Sequence, residues 1–203
     1  MSEDDKYTYP NSGGVLVNTL QIRDQAILDR VINDYASLVL GATLAHPPKT
    51  LDLSALRKIH TEIFVEIVPM IAGKIRDVDV RAGNTSIAYC RPAYIEANLK
   101  IFFDQLHAED YLQGLDSRTF ADKLADHWGY LTQIHPFRDG NTRTQSIFIT
   151  VIAHKAGYGL DWETIDVPTL RYLRLQAVTG REKLLADYLY RHIAPLFPPA
   201  FDH

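Results

Sequence analysis

His135-Pro136-Phe137-Arg138-Asp139-Gly140-Asn141-Thr142-Arg143 joins two stretches whose apolar residues recur at helical spacing. Before it, Phe120, Leu124, Trp128 and Leu131 fall at steps of three and four, and after it Ile147, Phe148, Val151 and Ile152 do the same. A loop between two such helices has rigidly held ends. Gly140 and Asn141 tolerate backbone angles that most residues avoid, as a tight turn into a helix requires. The second helix is expected to begin near Thr142, with Gly157 placed to end it. Its first backbone N–H groups have no partner inside the helix, and its dipole favours negative charge. A helix start behind a Gly-Asn turn is a natural seat for a phosphate.

The side chains of the loop fit the same use. Histidine is the side chain suited to proton transfer near neutral pH, so His135 can take a proton from an attacking hydroxyl. Asp139 is a hard oxygen ligand of the kind magnesium takes, one carboxylate completed by substrate phosphates. Arg143 offers a planar cationic fork matched to phosphate oxygens. Each residue also has a plainer reading: His135 as a packing residue at a helix end, Asp-Gly-Asn-Thr as a turn and cap, Phe137 as a core anchor, Arg143 as a solvated charge. The arrival of a base, a metal carboxylate and an anion seat in order between two buried helices points to phosphoryl or nucleotidyl transfer.

Outward from the loop, the chain reads as mostly α. Residues 1–20 form an extended arm with a turn at Asn11-Ser12-Gly13-Gly14. Asp24 is placed to cap a helix carrying Ile27, Leu28, Val31 and Ile32, and residues 52–68 repeat the pattern through Leu53, Leu56, Ile59, Ile63 and Ile67. Residues 74–91 differ: Lys74 to Arg81 alternates polar with apolar, Ala82-Gly83-Asn84 can turn, and Thr85 to Tyr89 can return, so a β-hairpin is expected. Within it, Arg76, Asp77, Asp79 and Arg81 read as solvated strand charges or as selectivity determinants. Pro92 opens a further helix, and residues 168–194 supply one or two more. The expected fold is a mostly α, compact, single-domain helical bundle over residues 1–203, with an arm at 1–20, a core at about 21–195 and one small hairpin at about 74–91.

The formal net charge of -4 argues against a protein that coats nucleic acid, since such proteins carry a basic face. Cys90 is the single cysteine, which excludes an intrachain disulfide or a cysteine-rich metal site within this sequence. No apolar run approaches the ~20 residues that span a bilayer, and the polar start Met-Ser-Glu-Asp-Asp-Lys has no signal-peptide core. A soluble protein with neither nucleic-acid nor membrane partners is expected.

The order of residues in the central loop resembles the Fic motif, His-x-Phe-x-(Asp/Glu)-Gly-Asn-Gly-Arg-x-x-Arg. It matches at His135, Phe137, Asp139, Gly140, Asn141 and Arg143 and departs at two places, Thr142 for the second glycine and Ser146 for the final arginine. The resemblance extends to Tyr7-x-Tyr9-Pro10 with Val15-Leu16-x-Asn18-x-Leu20, to Leu56 through Phe64, to Gly73-Lys74-Ile75-Arg76 and to Pro92-x-Tyr94-Ile95. It implies a bacterial protein adenylyltransferase or other nucleotidyltransferase that uses ATP, or another nucleoside triphosphate, with Mg2+. His135 would act as the base and Asp139 as the metal ligand. Phe137, Gly140, Asn141, Thr142 and Arg143 would line the nucleotide site. The hairpin, called the flap, would dock a target segment by strand addition through Asn84, Thr85, Ser86, Ile87 and Ala88. The partner would be a target protein bearing an acceptor hydroxyl. No glutamate in the sequence is followed by Gly or Asn, so the family's inhibitory segment is not seen, and a small separate antitoxin is the candidate regulator. Action in the bacterial cytoplasm, or as an effector secreted into a host cell, follows by resemblance. A Doc-like phosphotransferase and a degenerate Fic domain that only binds are the competing readings.

Overall fold

The computed structural model describes residues 5–83, 85 and 87–196. The chain divides into two compact units. One comprises Met1–Glu96 with His135–Ile147, the other Ala97–Ile134 with Phe148–His203.

In the first unit the arm runs Tyr7 to Val17 out and back. Tyr9 donates its N–H to Val15 and Val17 donates to Tyr7, around the isolated bridge of Thr8 with Leu16. Helix α1 (Gln25–Ala45) starts where the sequence places it, with the Asp24 carboxylate accepting from the Ile27 N–H. Helix α2 (Leu53–Phe64) is capped the same way by Asp52, which accepts from Ala55 N–H at 2.9 Å. It ends at Phe64, short of the expected residue 68. Ile67, Val68 and Ile71 remain fully or nearly buried in the turns that follow. The apolar repeat thus outlasts the helix, because side chains of successive turns can reach the same core.

The hairpin at 74–91 is corrected in detail. The stretch does alternate, but its described residues form no two-stranded ladder. Arg81 bridges Ala88, closing a short turn, while Ile75 bridges Phe137 in the central loop. The start of the expected hairpin thus pairs with the motif loop at Ile75, and its end pairs with its own return at Arg81. Period-2 alternation reports that one face is buried and leaves the pairing partner open. Asn84 and Ser86 lie outside the described residues. The chain then makes a short 3-10 turn at Pro92–Tyr94 and enters helix α3 (Ile95–Ala108).

The second unit holds most of α3, helix α4 (Ser117–Ile134), the later part of α5 (Asn141–Lys155), and α6 (Val167–Val178) and α7 (Glu182–His192). Phe102, Leu106, Phe120, Leu124, Trp128, Leu131, Phe148, Ile152, Leu185 and Leu189 are fully buried there. Strands β1 (Tyr158–Leu160) and β2 (Ile193–Pro195) pair antiparallel with Leu160 opposite Ile193. These are the paired strands of the described residues, too short for an alternation to show in sequence. Tyr158 stacks on Phe120 and donates its hydroxyl to the Leu115 carbonyl at 2.6 Å. Arg174, also buried, donates to the Thr132 hydroxyl and lies over the Trp128 ring. No helix of the described residues is long and apolar enough to cross a membrane.

The cap of α2 is open to direct measurement. Asp52→Ala leaves the Ala55 N–H without its carboxylate and should cost about 1 kcal/mol of stability. It would be read as a lowered urea midpoint with unchanged slope at pH 7; an unchanged midpoint would show that the cap contributes nothing.

Candidate active site

The site is built on the loop from His135 to the first turn of α5, all within the first unit. His135 adopts φ +47, a left-handed conformation rare for a residue with a side chain. Its carbonyl accepts from Arg76 Nε at 2.8 Å, which holds the backbone in that state. Its imidazole stacks on the Tyr89 ring, centroids 3.6 Å apart and nearly parallel. The flap's return thus covers one face of the proposed base. Sequence reasoning misses Tyr89, because no local pattern along the chain marks it.

Arg76 corrects the reading of the 76–81 charges as solvated or selective. It is 3% exposed, and its guanidinium donates to three main-chain carbonyls, those of His135, Val78 and Cys90. Its own N–H donates to the Pro136 carbonyl at 2.9 Å. Burial pushes the guanidinium below its ordinary pKa, and the three carbonyls offset the lost hydration. Asp77 does lie at the surface, where it accepts from Tyr7 Oη at 2.9 Å and from Lys6.

Beneath the loop sits His60, with no exposed surface. Gly73 N–H donates to its Nδ1 at 2.9 Å, so Nδ1 is the acceptor nitrogen, and Nε2 carries the proton donated to the Asp139 carbonyl at 3.0 Å. The ring stacks between Phe64 and Phe137. Burial lowers the His60 pKa from 6.5 to about 4, only partly opposed by the Asp139 carbonyl.

Phe137 is fully buried, so its side chain anchors the loop and has no surface for a nucleotide, a correction to its place among the binding residues. Asn141, 2% exposed, closes a two-bond clasp on the same residue: Phe137 N–H donates to Asn141 Oδ1 at 2.9 Å, and Asn141 Nδ2 donates to the Phe137 carbonyl at 2.7 Å. The Asn141 side chain is therefore committed to the loop, and its main-chain N–H remains as its contribution to an anion seat. Gly140 takes φ +72, and a Cβ there would lie 2.1 Å from the Phe64 ring, so both backbone and space demand glycine. Thr142, in contrast, has an ordinary helical backbone and is absent from the positive-φ positions. Threonine at the motif's second glycine therefore brings no backbone strain.

The first intrahelical bond of α5 runs from Thr144 N–H to the Gly140 carbonyl. The N–H groups of Asn141, Thr142 and Arg143 precede it at the positive end of the helix dipole. The Asp139 carboxylate, about one-third exposed, accepts from Gly140 N–H and lies 3.8 Å from Arg143 Nη1. Arg143 is held from α1: Nη2 donates to Asp29 Oδ1 at 2.8 Å and Nε to Asn33 Oδ1 at 2.6 Å. Arg138 pairs with Asp5 of the arm at 2.6 Å. In the flap, Thr85 and Ile87 shape the turn through Thr85 Oγ1, which donates to Ala82 and accepts from Ile87 N–H, and Ala88 is exposed at the bridge. His135, Asp139, Gly140, Asn141, Thr142 and Arg143 thus lie on one continuous loop and helix start, with the flap reaching it through Tyr89 and Arg76.

The model of the Fic/DOC family matches residues 50–153. The chain is 34% identical over 192 residues to the protein adenylyltransferase VbhT of Bartonella schoenbuchensis, covering 93% of this chain and 39% of that protein. It is 35% identical over 162 residues to the probable protein adenylyltransferase Fic of Escherichia coli, covering 80% of this chain and 78% of that protein. Among solved structures, the N-terminal Fic domain of a Bartonella quintana effector with bound ADP superposes with a TM-score of 0.85 at 26% identity, covering 93% of this chain and 94% of that one.

The loop's supports can be tested one at a time. A methyl group at position 140 meets both a forbidden φ and the Phe64 ring, so Gly140→Ala should destabilise the protein by about 2 kcal/mol or more, measured by thermal unfolding; a loss below a few tenths would contradict the close approach. His60, depressed in the folded state, binds its proton more readily when unfolded. Its contribution is complete above pH 6.5 and is lost as the pH falls from 6.5 towards about 4. His60→Gln should flatten this acid limb in a stability-versus-pH series, and an unchanged limb would assign it to other groups.

Proposed function

Because the chain belongs to the Fic/DOC family, we propose that it transfers the nucleoside monophosphate of a magnesium-bound nucleoside triphosphate, ATP before others, to a Ser, Thr or Tyr hydroxyl of a target protein. The observation that carries the reading is the single loop on which a histidine, a carboxylate and a cationic helix start follow one another, braced by Arg76, His60 and Asn141.

His135 would take the proton of the target hydroxyl. The freed oxygen attacks the α-phosphorus, the bond from that phosphorus to the bridging oxygen of the β-phosphate breaks, and pyrophosphate leaves. The main-chain N–H groups of residues 141–143 would face the phosphate oxygens, and Arg143 would contact the distal phosphates. Asp139 suits Mg2+: it is a partly exposed carboxylate beside the helix start, and magnesium is commonly held by one or two carboxylates completed by substrate phosphates. When bound there, the cation would neutralise charge on the α- and β-phosphates. The flap's role would be to present the target's backbone, with Tyr89 keeping the His135 ring in plane.

Ser146 supplies no second guanidinium, so Arg143 carries the side-chain positive charge of this stretch of α5. Any inhibitory segment of the family's form would come from outside these residues, and a small antitoxin is the candidate. The likeness to the Escherichia coli protein suggests action in the bacterial cytoplasm; that to the Bartonella effector suggests action in a second cell.

The test uses nucleotides labelled on the α- or γ-phosphate, incubated with the purified chain and a lysate. Label from the α-phosphate should appear on protein and fall by roughly 10²- to 10⁴-fold in His135→Ala. Label from the γ-phosphate alone would replace the reading with phosphotransfer, and no label from either would leave a binding module.

A further inference from the structure

Asp29 and Asn33 lie one helical turn apart on α1, a spacing that sets two side chains on one face. Both oxygens point at Arg143. Nε reaches Asn33 at 2.6 Å and Nη2 reaches Asp29 at 2.8 Å, so the side edge of the guanidinium is gripped by a pair of acceptors. That grip leaves Nη1 turned towards Asp139, 3.8 Å away. Arg143 itself is 20% exposed, whereas Asp29 is 41% exposed.

We propose that Asp29 and Asn33 are positioning residues for nucleotide binding: they hold Arg143 by its side edge so that its end edge meets the polyphosphate already aligned. The inference rests on the reading of Arg143 as a phosphate contact. A free arginine carries several rotatable bonds, and each must be fixed when a ligand arrives. Fixing them beforehand transfers that cost from binding to folding. The neutral amide of Asn33 adds a bond without adding charge. The single carboxylate of Asp29 therefore orients the guanidinium while leaving Nη1 clear of it. The opposite role, an aspartate that competes with phosphate for Arg143, predicts the reverse effect on affinity.

The test measures binding by calorimetry in the presence of MgCl2, with whichever of ATP, GTP, CTP and UTP binds the full chain most tightly. Asp29→Ala should weaken binding about three- to tenfold, Asn33→Ala should weaken it less, and Asp29→Ala should add nothing in an Arg143→Ala background. The exchanged pair Asp29→Asn with Asn33→Asp keeps one amide and one carboxylate across the same fork and should recover most of the affinity. A tie that merely braces α1 would change the unfolding temperature without this coupling. If Arg143→Ala weakens binding and Asp29→Ala leaves it unchanged or tightens it, the positioning role is overturned and the phosphate contact stands. If Arg143→Ala has no effect, or no nucleotide binds, both fall together.

Discussion

A full positive charge with almost no exposed surface sits at the join of the flap and the motif loop. Arg76 stays there with three carbonyls from three places in the chain, His135, Val78 and Cys90, replacing its lost water and with the Asp79 charge favouring it further. Removing any one of these partners would leave part of a buried cation unsatisfied, so each segment is held to the others by the cost of leaving. The left-handed backbone of His135 is sustained by the same contact, since the carbonyl that would otherwise relax is pinned by Arg76 Nε. A proposed base in a strained conformation, with its ring flat on Tyr89, has few rotamers left to explore. The geometry of the histidine thus rests on an arginine of the flap.

The second support works from below and by a different physics. His60 is neutral, buried between aromatic rings, and uses both nitrogens, one as acceptor for Gly73 and one as donor to Asp139. It fixes the main chain of Asp139 while leaving the carboxylate outside. Asn141 repeats this division of labour at the helix start, its side chain turned inward to Phe137 and its main-chain N–H left at the helix end. In both cases a polar side chain is used to hold the backbone, and the groups offered to a ligand are those left over. That pattern explains why Phe137 belongs to the scaffold although it stands inside the motif.

Much of this was legible in the sequence. The helical period marks α1, α4, α5 and the one or two helices over 168–194 where α6 and α7 lie, and the cap at Asp24 follows from local chemistry, whereas the cap at Asp52 was not read from the sequence. The loop's residue order marks the candidate site, because a helix start, a histidine and a carboxylate are defined by neighbours along the chain. The rest depends on partners far away in sequence. Arg76 is 59 residues from His135, and Asp29 is 114 from Arg143; no local pattern distinguishes such charges from solvated ones. The 74–81 alternation missed both the buried residue, Arg76, and the partner at its start, since Ile75 pairs with Phe137. Strands β1 and β2 carry three residues each, fewer than a period-2 signal needs.

The two departures from the motif differ in kind. Thr142 lies in ordinary helical backbone, so the glycine it replaces was not required here for conformation, while Gly140, with its positive φ and the Phe64 ring at its back, was. Ser146 changes charge rather than backbone. With one arginine on the first turn of α5 instead of two on successive turns, the orientation of that arginine matters more, because no second guanidinium on this helix start can compensate if the first swings to solvent. On the proposed reading, the acceptor pair on α1 would then be a physical counterpart to the missing guanidinium: were fewer charges to meet the phosphates, the one that remains would gain most from being held still.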